Sequence, residues 1–185
     1  MRVVRMFLLL VFVVCLLTVP LLGGRLSALG DLQLRCAWLA FAGIGLQVLI
    51  ISVVPGGPAW LSEGVHMGSY ALLGSFAWVN RRVPGVPVIA VGGLLNFVAI
   101  AVNGGVMPAD PALAVHAADG SSGFVNAGAV DDARLLFLGD VLATPGWLPL
   151  YNVYSAGDVV IVLGVLVLLH RACGSRLPRV VARAA

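Results

Sequence analysis

Residues 86–102 read VPVIAVGGLLNFVAIAV, a run without a single charged side chain. Two arginines at 81–82 precede this run, and Asn103-Gly104-Gly105 follows it. A helix over this run is about 26 Å long, close to the thickness of about 30 Å of a bilayer's hydrocarbon core. The run therefore predicts a membrane-spanning helix, and the fold depends on how many similar runs the chain contains.

Four further apolar runs occupy residues 6–22, 36–54, 61–79 and 156–170. The 185 residues are 61% hydrophobic and only 10% charged, with a mean hydropathy of +1.06. A soluble domain usually has about a quarter of its residues charged. We therefore predict an all-α membrane protein with about five transmembrane helices. It would form a single integral domain over residues 1–185, with the lipid bilayer as its main partner.

The first run has two interpretations. Arg2 and Arg5 precede it, as in a secretory signal peptide, so residues 1–22 are either a cleaved signal or a retained helix. No small-x-small cleavage site follows directly, and Val14 before Cys15 is too bulky for lipoprotein processing. These features favour the retained helix.

All eleven basic residues are arginines, and the net charge is +3. They are scattered at the borders of the apolar runs, so we expect no nucleic-acid partner. With the N-terminus outside, most arginines fall on the cytoplasmic side, as the positive-inside rule requires. The sequence thus predicts a multi-pass protein of the bacterial plasma membrane with a cytoplasmic C-terminus. The long segment 103–154 then forms an outer loop.

The outer loop is acidic and has one structured candidate. Its acids are Asp110, Asp119, Asp131, Asp132 and Asp140, against Arg134 alone. In a helical arrangement, residues 131–142 carry leucines and a valine on one side. Such a pattern is typical of a short interfacial or re-entrant helix.

Small and amide side chains recur along the run 86–102. Gly92, Asn96, Ala99 and Asn103 are spaced by four, three and four residues, which places them on one helical face. Such a face is typical of a packing seam, including a seam with a membrane protein partner. Alternatively, Asn96 and Asn103, together with Ser155, bind a ligand in a cavity open to the outer side.

Asp158 lies at the start of the last run, three residues after Ser155. This spacing predicts a capping box, with the acid at the positive end of the helix dipole. The alternative is a carboxylate that performs acid–base chemistry or binds a cation. The three histidines and three cysteines show no metal-ligand spacing, so we expect neither a metal nor another cofactor.

Two resemblances follow from these residues. Gly23-Gly24-Arg25-Leu26, residues 103–108, Leu138-Gly139-Asp140-Val141 and residues 155–158 resemble a family of small bacterial polytopic membrane proteins of unknown function. That resemblance covers nearly the whole chain and implies an integral membrane protein, without naming an activity.

The second resemblance is local. Residues 154–158, followed by Ile161 and Gly164, are similar to the last-helix motif of lipoprotein signal peptidase, which implies a catalytic role for Asp158. Residues 92–96 partly match that family's other motif, but its second catalytic aspartate would fall on Ala99 and its arginine on Ile100. We therefore consider Asp140 and Asp110 as candidates for the second carboxylate.

Two functions fit these observations. The first is a non-enzymatic integral membrane protein that binds a ligand or partner at a polar site on its outer face. The alternative is a membrane-embedded aspartyl hydrolase that uses Asp158 with Asp140 or Asp110. A transporter fits less well, because no charge falls at mid-bilayer. A second carboxylate beside Asp158 favours the hydrolase, whereas bonds from Asp158 to its own helix alone favour a cap.

Overall fold

A computed structural model describes residues 2–53, 59–113, 127–128, 133–144 and 153–176. Its main helices are α1 (Arg2–Leu21), α2 (Ala37–Val53), α3 (Ala59–Val79), α4 (Val86–Val102) and α5 (Ala156–Ala172). Short 3-10 helices occupy Leu26–Asp31 and Leu136–Leu138. The strands are β1 (Met107–Pro108), β2 (Ala127–Gly128), β3 (Asp140–Ala143) and β4 (Val153–Ser155).

Each predicted apolar run coincides with one of these helices, but the prediction that they are transmembrane helices is wrong. Across the described ranges, none of the helices has both the length and the apolar character needed to cross a bilayer. Helices α2, α4 and α5 each have 17 residues, or about 26 Å, which is short of a hydrocarbon core of about 30 Å. Helix α3 has 21 residues but includes Glu63, His66 and several serines and glycines. Helix α1 includes two arginines and Pro20.

The predicted bacterial membrane location and its orientation depended on those spans. Most of the acidic loop, with Asp119, Asp131 and Asp132, lies outside the described residues.

The predicted interfacial helix over residues 131–142 is also wrong. Leu135 has a left-handed backbone with φ of 52°, which ends any helix before the 3-10 turn at Leu136–Leu138. Gly139 is extended, and the chain continues into strand β3. The apolar residues of this segment therefore lie on a turn and a strand.

The small strands also correct the all-α prediction. β1 and β2 pair in parallel, and β3 and β4 pair antiparallel, with Asp140 opposite Ser155. The register shifts between Asp140 and Leu142, so Val141 forms a bulge. Ala109 forms a further parallel bridge with Asp140. Because β4 runs directly into α5, this pairing fixes Asp140 at the start of that helix.

Helices α4 and α5 form the most extensive contact in the fold, and α2 packs on α3. Glycines bring the α4 and α5 backbones together: a Cβ on Gly92 would lie 2.6 Å from the Gly157 carbonyl oxygen, and one on Gly164 would lie 2.6 Å from the Ile89 nitrogen. The predicted small-residue face of α4 therefore packs, at Gly92 and Asn96, on α5 of the same chain.

A second polar cluster lies at the opposite end of α5. His170 Nδ1 lies 2.6 Å from Ser175 Oγ, and its Nε2 lies 3.1 Å from Thr18 Oγ1 on α1. Burial lowers the pKa of His170, and burial also raises the pKa of the nearby thiols Cys15 and Cys173. These apolar and hydrogen-bonded contacts attach α1 to the end of α5, far from Asp158.

Candidate active site

Asp158 lies in the first turn of α5, where the predicted capping box is confirmed. Ser155 Oγ accepts a hydrogen bond from the Asp158 backbone nitrogen at 3.0 Å, and Asp158 Oδ2 accepts one from the Ser155 nitrogen at 3.0 Å. The other carboxylate oxygen, Oδ1, accepts a hydrogen bond of 2.8 Å from Asn96 Nδ2 on α4. Asp158 is therefore bound to a second helix as well as to its own.

Asn96 and Ser155 complete a closed network around this carboxylate. Ser155 Oγ donates a hydrogen bond of 2.8 Å to Asn96 Oδ1, and both residues are buried. The network fixes the Asn96 amide with Oδ1 as acceptor and Nδ2 as donor. The polar atoms of these two predicted ligand contacts are thus directed at each other and at Asp158, whose orientation they set.

Asp140 is the second carboxyl at this place. Its position opposite Ser155 in the β3–β4 pair brings it to the start of α5, and its side chain is only 7% exposed. Burial, and then the negative charge of Asp158, raise the pKa of Asp140 to about 7. The two carboxyls are therefore close enough to interact, and Asp140 retains its proton up to near-neutral pH.

Asp110, the other predicted partner of Asp158, contributes its backbone instead of its side chain. Its nitrogen donates to the Asp140 carbonyl oxygen at 3.2 Å. Its carboxylate accepts a hydrogen bond of 2.9 Å from the Ala112 nitrogen, which closes a local turn. Of the two candidates, the structure brings Asp140 to Asp158, whereas the carboxylate of Asp110 points into its own loop.

Tyr70 on α3 also lies near Asp158, and the sequence interpretation missed it. Its ring centroid lies 5.3 Å from that of Phe97 on α4. Burial, and then the charge of Asp158, raise the pKa of Tyr70 to about 12, so its hydroxyl is neutral at physiological pH. One signal was available: Tyr70 follows His66 by four residues and therefore lies on the same face of α3 as that polar side chain.

Asn103 has a different position from the one we expected. It follows the last residue of α4, and its side chain binds the backbone of Arg134 through two hydrogen bonds, from Nδ2 to the Arg134 oxygen at 2.7 Å and from the Arg134 nitrogen to Oδ1 at 2.9 Å. Nδ2 also donates to the Ala99 oxygen at 2.7 Å. Asn103 thus joins α4 to the segment that leads to Asp140.

Comparison with known protein families finds a match over most of the chain. The model of a family of unknown function, DUF5317, matches residues 31–170. The chain belongs to this family. No curated protein and no solved structure matches the chain. The predicted membership of an uncharacterised family is thus confirmed. Asp140, Asp158 and the hydrogen-bond partners of Asp158 all lie inside the matched range.

Proposed function

We propose that this DUF5317 protein is a hydrolase of the aspartyl type, with Asp140 and Asp158 as its acid–base pair. The observation that carries the proposal is the pairing of Asp140 with Ser155, which brings a buried carboxyl to the start of α5, where Asp158 caps the helix. Burial, and then the charge of Asp158, raise the pKa of this carboxyl to about 7. Two carboxyls whose surroundings give them different proton affinities are suited to act as acid and base.

The roles follow from the surroundings of each group. Asp158, which accepts hydrogen bonds on both oxygens, is the base that takes a proton from water. The water oxygen then forms a bond to the carbonyl carbon of an amide or ester. Asp140 supplies its proton to the leaving nitrogen or oxygen as the bond to that atom breaks. The products are a carboxylic acid and an amine or alcohol, and Asp140 recovers its proton from Asp158.

Two neighbours support this chemistry. Asn96 Nδ2 holds Asp158 Oδ1, which leaves the carboxylate in one orientation. The Tyr70 hydroxyl is a neutral donor near the same carboxylate. A donor of this kind stabilises the oxyanion that develops when water adds to a carbonyl group.

The observed hydrogen bonds favour the hydrolase over a ligand-binding site. The three residues first considered as ligand contacts are Asn96, Ser155 and Asn103. Asn96 and Ser155 bond to each other and to Asp158, and Asn103 bonds to the backbone at Arg134. Their polar atoms are used to hold other parts of the chain. The Asp140 carboxyl, by contrast, is buried at the start of α5 with a raised pKa, so it holds a proton that it can donate to a substrate.

The proposal is tested by incubating the purified protein with a peptide library and a panel of acyl esters in water enriched in ¹⁸O. Mass spectrometry then measures incorporation of the label into new carboxyl groups. We expect incorporation by the wild-type protein and a loss of about 10³-fold or more in Asp140→Asn and Asp158→Asn.

Asp110→Asn is the matched control, because it removes a carboxylate that points away from the pair. It should retain the wild-type rate. Absence of incorporation by the wild-type protein across both panels, or full activity in either variant of the pair, contradicts the proposed function.

A further inference from the structure

We propose that Asn103 is a positioning residue, which places the Asp140 carboxyl beside Asp158 by fixing the backbone of Arg134. This inference extends the proposed function, since it concerns how the second carboxyl of the pair is held. It also gives Asn103 a role other than the ligand contact that its spacing on α4 first indicated.

The Asn103 side chain binds the Arg134 backbone as a neighbouring strand would, through one donated and one accepted hydrogen bond. The amide both accepts from the Arg134 nitrogen and donates to the Arg134 oxygen, at 2.9 and 2.7 Å. A third hydrogen bond, to the Ala99 oxygen, anchors the same amide to the last turn of α4. With Oδ1 and both Nδ2 hydrogens used, the Asn103 side chain has one orientation.

The chain between Arg134 and Asp140 is short, so the position of Asp140 depends on the position of the Arg134 backbone. Leu135 is left-handed, the 3-10 turn Leu136–Leu138 follows, and Gly139 leads into β3. Gly139 packs so closely against Pro108 that a Cβ would collide with the Pro108 carbonyl oxygen. Leu138 packs against buried residues at the end of α4 and at β1. A displacement of Arg134 would therefore be passed to Asp140.

Helix α4 carries both supports of the aspartate pair. Asn96 holds Asp158, and Asn103, seven residues later, holds the segment that ends at Asp140. Residues seven apart lie about two turns, or about 10 Å, along the same face of a helix. One rigid element thus sets the positions of both carboxyls.

The chain contains a matched contact away from the pair. Asn80 follows the last residue of α3 and binds the backbone of Arg35, with two hydrogen bonds of 2.8 Å. It also donates to the Phe76 oxygen one turn earlier in its own helix, as Asn103 does to Ala99. None of these bonds involves Asp140 or Asp158, so Asn80→Ala removes the same kind of contact without affecting the pair.

The test is an NMR titration of the full-length protein labelled with ¹³C at the aspartate carboxyl carbons, with the Asp140 signal assigned from Asp140→Asn. In Asn103→Ala we expect the Asp140 midpoint to fall by about one pH unit or more, because the carboxyl moves away from Asp158 and towards water. Asn80→Ala should leave this midpoint unchanged. Asn103→Asp, which keeps the acceptor for the Arg134 nitrogen, should give an intermediate shift.

An unchanged Asp140 midpoint in Asn103→Ala, or an equal shift in Asn80→Ala, overturns the positioning role. The titration needs no substrate, so its outcome is independent of whether the protein hydrolyses the panels above. If hydrolysis occurs, Asn103→Ala should lower kcat about tenfold or more with little change in KM, whereas Asn80→Ala should not. A shifted midpoint without any hydrolysis would support the position of Asp140 and contradict only the proposed activity.

Discussion

Asp140 lies opposite Ser155 in the β3–β4 pair, and Ser155 caps α5 three residues before Asp158. Directly opposed residues in an antiparallel pair have Cα atoms about 5 Å apart, and three residues of helix are less than one turn. The strand pairing therefore brings a carboxyl from a distant segment to the capping carboxylate. The second carboxyl thus comes from β3. The peptidase resemblance would place it on α4 at residue 99, where this chain has the fully buried Ala99.

The raised pKa of Asp140 predicts a pH-dependent stability. Its folded pKa of about 7 exceeds the ordinary value of 3.8, so the folded state holds a proton that the unfolded state has lost. The contribution of Asp140 to the free energy of unfolding should therefore be greatest at low pH and fall as pH rises from about 4 to about 7. The largest loss in the free energy of unfolding is about 4 kcal/mol, since each pKa unit corresponds to about 1.4 kcal/mol.

Asp140→Asn should remove this loss, since its side chain is neutral at every pH. Chemical denaturation at pH 8 should then show a higher free energy of unfolding than for the wild-type protein, and the difference should shrink towards pH 4. Asp110→Asn serves as the control and should retain the wild-type pH dependence. A wild-type stability that does not decline across this pH range would contradict the buried, protonated Asp140.

The glycine contact between α4 and α5 predicts a second effect on stability. A Cβ at residue 157 would collide with Asn96 Oδ1 and approach the Gly92 oxygen to 2.6 Å. We expect Gly157→Ala to lower the free energy of unfolding by about 1–3 kcal/mol, as overpacking does. The measurement is guanidinium denaturation.

Gly93→Ala is the matched control on α4, because nothing lies within 4 Å of a Cβ at that position. It should raise stability by up to about 1 kcal/mol through helix propensity alone. Equal effects of the two substitutions would show that the close approach at Gly157 is absent.

Tyr70→Phe tests the neutral hydroxyl near Asp158. The substitution keeps the ring contact with Phe97, so the free energy of unfolding should change little. Loss of one oxyanion donor should lower kcat about 10²-fold, with a smaller effect on KM. Steady-state kinetics on a substrate found in the ¹⁸O assay measures both. Ser75→Ala, on the exposed side of the same helix, should leave both constants unchanged, and unchanged kcat in Tyr70→Phe would exclude the role.

Local sequence patterns predicted the helices and the cap. The first and last residues of the run 86–102 are the ends of α4, because Gly85 and Asn103 flank it with non-helical backbone. The spacing of Ser155 and Asp158 likewise predicted the capping box. These features depend on residues within one or two turns, which is the range over which helix periodicity and caps operate.

The remaining features depend on long-range contacts or on the margin between the length of a helix and the thickness of a bilayer. The apolar runs suggested transmembrane helices, yet the 17 residues of α2, α4 and α5 span about 26 Å, which is short of a hydrocarbon core of about 30 Å. The leucines around residue 136 suggested a helix, but the backbone at Leu135 is left-handed. The position of Asp140 depends on its pairing with Ser155 and on the bulge at Val141, neither of which has a periodic signal.

The most direct test of the paired carboxyls is the ¹³C titration of Asp140 in the wild-type protein and in Asp158→Asn. We predict a wild-type midpoint near pH 7. Removal of the Asp158 charge should lower that midpoint while leaving it above 3.8, since burial is the larger cause of the shift. A wild-type midpoint near 4, or a midpoint that Asp158→Asn does not move, would contradict the pair.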